Sequence, residues 1–539
     1  MVEVSSLFDA DRVAVIGASE TEGSIGRAIM DNLLEDFQGT VIPINPNADS
    51  VLGVECHPEL EQAGEVDLAV VAVPSRIAVD EVREAAEAGV RNVVVISAGF
   101  SETGSEGAAR ERDLRQIADE YGLNLVGPNC LGILSTPTGL NATFGPTNAL
   151  PGSLSFLSQS GAFVTAVLDW ANDQDIGFND VVSLGNKAVL DETDFIQAWG
   201  EDPDTDVIIG YLESIEDGQA FIRHAREVTQ STPVVLVKSG RTEAGAQAAS
   251  SHTGAIAGSD AAYGAGLNQA GVLRVETVQE LFDFARALSG QPLPETRSVG
   301  IVTNAGGPGV MTTDAVGDSD LDLASFSEET IAALRESLPE EANVYNPVDV
   351  IGDADLERFQ RALDIVLDDP GVGAAVVLSA PTAILSYDEL AEMIVDHQAT
   401  HGKPVVTCLM GGERTASAED LLRDAGIPNY FDPARAINSL DALSDYDRIQ
   451  SRTYEDPTTF DVDREAAASV LQMAAERGDN RLGVEAMALL DAYGIPTPKG
   501  TIVETPAAAV EVAEDLGGPV VMKIVSPDIL HKSDIGGVK

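Results

Sequence analysis

Six histidines occur in 539 residues, and one of them, His252, sits in a stretch with no bulky neighbour: Ser250-Ser251-His252-Thr253-Gly254-Ala255-Ile256-Ala257-Gly258-Ser259-Asp260. A loop this bare leaves the imidazole free to turn and receive a group. A neutral imidazole becomes a nucleophile toward phosphorus when a carboxylate holds one ring nitrogen as N–H and leaves the other bare. A candidate carboxylate is Glu213, which follows the apolar run Val207-Ile208-Ile209-Gly210-Tyr211-Leu212. That run reads as a strand, and open α/β sheets keep their chemistry at the carboxyl ends of their strands. The plain alternative is a loop histidine without a role, and the scarcity of histidine together with this setting argues against it.

The elements that would position these groups begin with a predicted strand at 12–17. It runs into Ala18-Ser19-Glu20-Thr21-Glu22-Gly23-Ser24-Ile25-Gly26 and a helix from Arg27. A Gly-rich turn opening a helix offers backbone N–H groups and a positive dipole end to a phosphate. The loop is longer than the GxGxxG dinucleotide fingerprint. The second strand, 39–44, ends in Asn45-Pro46 instead of the acidic residue that would hold the ribose of NAD. The site therefore suits a phosphorylated, nucleotide-like ligand other than NAD. Further strands at 68–73, 92–96 and 123–126 alternate with helices at 79–88 and 106–121, the pattern of a parallel sheet covered by helices.

The pattern restarts at Ser153, with a strand at 154–157, the small-residue turn Ser158-Gln159-Ser160-Gly161, and a helix from Val164. A second turn, Ser183-Leu184-Gly185-Asn186-Lys187, precedes the Glu213 strand, and a strand at 233–238 precedes the His252 loop. Near Ser298 the chain repeats itself. Residues 299–310, with Asn304-Ala305-Gly306-Gly307-Pro308-Gly309, match the region around Ser160; 369–378 match 202–212; 403–406 match 232–235. Three matches in the same order indicate two copies of one flavodoxin-like unit. After Cys408-Leu409-Met410-Gly411-Gly412 the second copy goes directly into helix, so it has no counterpart of His252 and is expected to contribute a helix N-terminus instead of a nucleophile.

Composition bounds the rest. A chain of 539 residues exceeds one hydrophobic core, and three or four domains are expected. The 88 acidic residues against 32 basic ones leave a net charge of −56. The acids are spread over helix faces and loops instead of forming a tail, which reads as a coat adapted to high salt, where counter-ions screen self-repulsion. The melting temperature is accordingly expected to fall on desalting. Nucleic acid is excluded as a partner by the lack of clustered Lys and Arg. No apolar run reaches membrane-span length and residues 1–10 lack a signal-peptide pattern, so no membrane association and a cytoplasmic location are expected. Cys56, Cys130 and Cys408 have no paired spacing and read as reduced buried thiols, with no metal site.

The polar residues 451–479 read as a linker, and 480–539 as the start of a last domain, expected to be cut short because a sheet with so few strands cannot bury a core alone. The other expected domains are 1–148, 149–292 and 293–450.

Taken together, Gly23-Ser24-Ile25-Gly26, Asn45-Pro46, Gly127-Pro128-Asn129, Ser158-Gln159-Ser160-Gly161, Glu213, Ser251-His252-Thr253-Gly254, the Asn304 to Gly309 turn and His531-Lys532-Ser533-Asp534-Ile535-Gly536-Gly537-Val538 make the chain resemble the ADP-forming acyl-CoA synthetases, relatives of succinyl-CoA ligase. The resemblance covers essentially the whole chain in the family's domain order. It implies an α/β protein with a Rossmann-like CoA-binding domain, two flavodoxin-like ligase domains and the beginning of an ATP-grasp domain. By the same resemblance, Ser24, Ile25 and Gly26 lie near the CoA phosphates, with Asn45, Pro46, Ser97 and Ala98 lining the rest of that site. His252 is the phosphohistidine and Glu213 the carboxylate that orients it, while Ser160, Gly161, Gly306 and Gly307 open two helices toward the phosphoryl group. Lys523 becomes a nucleotide-phosphate ligand and His531 a second, transient phosphohistidine.

The implied cofactors are CoA, ATP or ADP, and magnesium, whose ligands in the family lie beyond Lys539. The implied substrates are a small carboxylic acid, with acetate favoured, or its acyl-CoA, and the implied assembly is a homodimer. The competing reading is a catalytically degenerate CoA-binding protein with a regulatory or acetyltransferase-associated role. The presence of both His252 and Glu213, and of no spare acetyltransferase-sized segment, disfavours it.

Overall fold

The computed structural model describes residues 3–242, 244–245, 247, 259–454, 460–476, 482, 485–524 and 538–539. The chain divides into two compact units, Met1–Arg452 and Thr453–Lys539.

The first unit holds three parallel-based sheets. In the first, β1 (Arg12–Ile16), β2 (Thr40–Ile44), β5 (Leu68–Val71), β6 (Asn92–Val95) and β7 (Asn124–Val126) lie in the order β2-β1-β5-β6-β7, all parallel. A two-stranded ribbon, β3 (Ser50–Val51) with β4 (Val54–Glu55), stands beside β2. Helices α1 (Ile25–Asp36), α2 (Ser75–Glu87) and α3 (Ser105–Tyr121) make the crossovers. Covered on both faces, β5 and β6 read Leu-Ala-Val-Val and Asn-Val-Val-Val and are buried throughout, as expected of parallel strands lacking a solvent face.

The second sheet carries β10 (Leu150–Ser158), β11 (Gly177–Ser183), β12 (Val207–Leu212), β13 (Val234–Lys238) and β14 (Leu273–Val275), ordered β14-β13-β12-β10-β11. Counted from β10 this is the 2-1-3-4-5 order of flavodoxin. Its far edge is extended by an antiparallel hairpin, β8 (Gly132–Ser135) and β9 (Leu140–Thr143). The hairpin precedes the 148/149 boundary drawn from sequence, yet it hydrogen-bonds to β11, because its apolar residues complete the core shared by the first two sheets. That core runs without a break from Val13 and Ile29 through Ile133 and Ala142 to Val182, Phe195 and Trp199.

The third sheet repeats the plan with β15 (Ser298–Thr303), β16 (Asp322–Leu323), β17 (Val348–Asp349), β18 (Ala374–Ser379) and β19 (Val405–Leu409). Its order is β16-β15-β18-β19, and a single parallel bridge, Thr407 to Asn429, stands where a fifth strand would be. The second position is shared: β16 pairs with Ser298 and Val299 at the start of β15, and β17 with Val302 and Thr303 at its end. The matched sequence segments thus fall on β10 and β15, β12 and β18, and β13 and β19. The two repeats meet through Arg435, whose guanidinium forks onto Asp283 at 2.7 Å on both oxygens. Gly290 and Gly426 also approach so closely that a Cβ on Gly290 would lie 2.2 Å from the Gly426 carbonyl oxygen.

In the second unit, helices Arg464–Glu476, Glu485–Ala492 and Pro506–Leu516 are described. The first corrects the reading of 451–479 as linker. Ala467, Val470 and Ala474 recur at three- and four-residue spacing and are buried, so the segment is an amphipathic helix whose alanine-rich face is only weakly hydrophobic in sequence. The described part of the run after Gly517 forms only one antiparallel bridge, Lys523 to Val538.

Candidate functional site

Each of the first two sheets delivers its chain turns to the carboxyl ends of its strands, and the site is built there. In the first sheet, Gly17 ends β1 with φ +95°, and a Cβ on Gly26 would lie 2.1 Å from the Gly17 carbonyl oxygen. Only glycine at 26 lets α1 start this close to the strand. Ser24 caps α1, its Oγ accepting from the Arg27 N–H at 3.3 Å, which leaves the first-turn donors facing outward; Ile25 beside it is 45% exposed. Asn45 follows β2 and ties the same loop down, its Nδ2 donating to the Ala18 carbonyl at 2.8 Å and its Oδ1 accepting from Asn47 N–H. Pro46 next to it is exposed. Ser97 and Ala98 follow β6; the Ser97 hydroxyl donates to the Val73 carbonyl, and Ala98 is exposed. All seven predicted CoA-site residues therefore border the strand-end edge near β1 and β5, where the order of the sheet reverses, the place at which open α/β sheets bind ligands. The bare backbone made by Gly17 and Gly26 fits a group that brings phosphates against a helix N-terminus.

In the second sheet the centre is the turn after β12. The side-chain oxygen of Gln159 accepts from the N–H of Glu213 at 2.5 Å and of Ser214 at 2.8 Å, while its Nε2 donates to the Ser214 hydroxyl at 3.2 Å. The Lys187 ammonium in turn donates to the Ser214 carbonyl at 2.9 Å. Three successive peptide groups are thus held, and the Glu213 carboxylate projects from a fixed base. Burial raises the Tyr211 hydroxyl pKa; a hydrogen bond with Ser239 opposes the rise, and the charge of Glu213 adds to it, so the phenol and this carboxylate are neighbours. Lys238, at the end of β13, is pulled below the ordinary lysine range chiefly by burial and also by Arg274, against the charges of Asp260 and Glu213. Its ammonium lies 4.2 Å over the Tyr263 ring.

Ser160 and Gly161, one residue beyond Gln159, open α4 (Gly161–Asp173); the Ser160 Oγ caps the helix by accepting from Phe163 N–H at 3.3 Å. Phe163 packs against Tyr211 with ring centroids 4.7 Å apart and the planes tilted by 44°. Gly306 and Gly307 take the corresponding place in the third sheet, at the exposed start of helix Gly306–Asp318, where a Cβ on Gly307 would meet nothing within 4 Å. Lys523 is exposed in the second unit. His252 and His531 lie outside the described residues. The structure therefore brings Ser160, Gly161 and Glu213 together, and gathers the seven residues of the first sheet at one edge.

Gln159, Tyr211 and Lys187 are the site residues that sequence reasoning passed over. Gln159 lay inside a motif valued for its small residues, Tyr211 inside an apolar run, and Lys187 in a turn read only as the connection before the Glu213 strand. Among the described residues no three His, Cys, Asp or Glu side chains are grouped to hold a metal ion, and no helix is long and apolar enough to cross a membrane.

Four family models match the chain: a CoA binding domain over 11–136, a succinyl-CoA ligase like flavodoxin domain over 151–288, a ligase-CoA domain over 299–451 and an ATP-grasp domain over 472–539. The acetate–CoA ligase [ADP-forming] I of Archaeoglobus fulgidus is 45% identical over 99% of this chain and 77% of its own length. The 4-hydroxybutyrate–CoA ligase [ADP-forming] of Nitrosopumilus maritimus is 40% identical over the same shares. Among solved structures, the dinucleotide forming acetyl-coenzyme A synthetase 1 of Ca. Korarchaeum cryptofilum, in complex with phosphate and ADP, is 38% identical and superposes with a TM-score of 0.79, covering 84% of this chain and 98% of that one. With this order of domains and this degree of identity, the chain belongs to the ADP-forming acetate–CoA ligases, the acid–thiol ligases that use CoA together with ATP or ADP and magnesium.

Proposed function

We propose that this enzyme interconverts acetyl-CoA, phosphate and ADP with acetate, CoA and ATP, and that His252 carries the phosphoryl group. Phosphate oxygen attacks the thioester carbonyl and CoA leaves as its thiol, giving acetyl phosphate. The His252 imidazole then takes the phosphoryl group and acetate departs, and the phosphohistidine passes the group to ADP. Glu213 orients the imidazole by accepting its N–H, which keeps the other nitrogen bare for attack. The helix N-termini at Ser160-Gly161 and Gly306-Gly307 stabilise charge on the phosphoryl oxygens, each worth about 0.3–1 kcal/mol if exposed and more where water is excluded. Magnesium, when bound with the nucleotide, would neutralise charge on the transferring group.

Ser24, Ile25, Gly26, Asn45, Pro46, Ser97 and Ala98 are assigned to CoA, Lys523 to the nucleotide and His531 to a second, transient phosphohistidine. Acetate is chosen over a longer acid on the name of the A. fulgidus relative. We read the protein as a cytoplasmic homodimer, the dimer being testable by light scattering at high salt.

The observation that carries the reading is the Glu213 turn, a carboxylate on a peptide held by Gln159 and Lys187 beside the capped start of α4. The test is labelling with acetyl [³²P]phosphate. Wild type should yield acid-labile, base-stable label in the peptide containing His252, and His252→Ala should yield none. Label retained at wild-type level in His252→Ala would end the assignment.

A further inference from the structure

Lys187 is 2% exposed at its side chain and makes an ion pair with Glu192, 1% exposed, at 2.9 Å. Burial pushes the Glu192 carboxyl up and the Lys187 charge pulls it back. The other oxygen of Glu192, Oε1, is buried with no hydrogen-bond partner among the described residues. A buried ion pair left incompletely bonded is a weak source of net stability, since desolvation offsets most of its Coulombic gain. The pair therefore calls for a second reason, and the remaining bond of the ammonium supplies one. It reaches the Ser214 carbonyl, the third peptide group of the Glu213 turn, whose first two are held by Gln159.

The backbone that carries Lys187 is itself anchored in the first sheet's domain. Gly185 has φ +58°, and a Cβ there would lie 2.2 Å from the Pro128 carbonyl oxygen; Lys187 has φ +56°. Between them Asn186 donates its N–H to Pro128 O at 2.9 Å and its side-chain amide to Glu102 at 2.7 Å and Glu111 at 3.0 Å, and its Oδ1 accepts from Asn129 Nδ2. Glu102 in turn accepts from the N–H groups of Gly99 and Phe100, which follow Ser97 and Ala98. One three-residue turn thus grips the strand ends of the first domain with Asn186 and the Glu213 turn of the second with Lys187.

We infer that Lys187 is a positioning residue for phosphoryl transfer, fixing the Glu213 peptide relative to the CoA-binding domain through its bond to the Ser214 carbonyl. The inference rests on the reading of Glu213 as the carboxylate that orients His252. Because the bonds of the ammonium among the described residues go to Glu192 and to the Ser214 carbonyl, its loss should change the placement of Glu213 and spare thioester binding.

The test compares Lys187→Met/Glu192→Gln, which removes both charges and the Ser214 bond, with Glu192→Gln, which keeps that bond. Labelling from acetyl [³²P]phosphate reads the His252 step, and the KM for acetyl-CoA reads binding. The double variant should label about 10- to 100-fold more slowly than Glu192→Gln, with KM changed less than about twofold. Labelling within about twofold of Glu192→Gln, or a loss matched by an equal rise in KM, would overturn the inference. Should the methionine variant fail to fold, Lys187→Gln/Glu192→Gln, also neutral and too short to reach Ser214, takes its place. Glu213→Gln separates the two readings. If it labels slowly while the Lys187 variants label normally, only the role of Lys187 falls; if it labels at the wild-type rate, the role of Glu213 falls and takes this inference with it.

Discussion

The second and third sheets share the order of their first four strands and, at the end of the first strand of each, the same small machine. In one, Ser158 Oγ bonds both the N–H and the carbonyl of Ser160; in the other, Thr303 Oγ1 does the same for Ala305. Gln159 holds the N–H of Glu213, and Asn304 holds the N–H of Ala380 at 2.8 Å. The pairings Ser158 with Tyr211 and Thr303 with Leu378 place Glu213 and Ala380 at the same step past the third strand. There the copies part. The second copy has a methyl group where the first has a carboxylate, and only residues 410–415 separate its fourth strand from helix Ala416–Asp424, whereas 239–259, the segment containing His252, separate β13 from helix Asp260–Gln269. Below Glu213 lies the Lys187–Glu192 pair; around Ala380, the Tyr387 hydroxyl bonds Ser379 and Met410 carbonyls instead. The comparison separates a generic device, which directs a helix N-terminus to the strand ends, from the chemistry that one acid and one longer, histidine-bearing segment add to it.

The largest effect expected from breaking this contrast is at the acid. Glu213→Gln should slow His252 labelling by about 10²- to 10⁴-fold, the range for loss of a group that manages the reacting proton. Adding Ala380→Glu to it should restore nothing, because the second copy has no counterpart of His252; recovery of activity would show the copies to be interchangeable.

Next in size is the charge pair. Lys187→Met alone should cost about 3–5 kcal/mol in chemical denaturation, since it leaves Glu192 buried without its partner.

The two amide clamps give a more even contest. Gln159→Ala and Asn304→Ala should each cost about 1–3 kcal/mol by stranding N–H groups at a strand end, but only Gln159→Ala should also slow labelling. Equal kinetic losses would mean that the Ala380 turn of the third sheet matters to the chemistry as much as the Glu213 turn.

The smallest effect concerns the caps. Ser160 caps its helix with a side-chain bond and Ala305 does not, so Ala305→Ser should add about 1 kcal/mol and Ser160→Ala should remove a similar amount. Thermal melts would register both.

Much of this was legible in the chain itself. The Val- and Ile-rich runs that became β5, β6, β12 and β13 are short, buried on both faces and bounded by turn residues, so their identity needs no tertiary information. The repeat was visible because the turns were preserved along with the strands. The helix Arg464–Glu476 was missed because its core-facing positions are mostly alanine, whose weak hydrophobicity leaves little periodic contrast against a polar background.

What the amino-acid order determined by itself was the alternation of strands and helices, the position of Glu213 at a strand end and the glycines at 17 and 26, since each follows from local periodicity or from backbone sterics. Only the tertiary structure decided that β8 and β9 join the second sheet, that Gln159 and Lys187 both grip the Glu213 turn, and that Asn186, next to Lys187, ties it to the first domain. These contacts span tens of residues, and a hydrogen bond between distant groups leaves no periodic trace in sequence. It exists only once the packed core has set both partners within about 3 Å of each other.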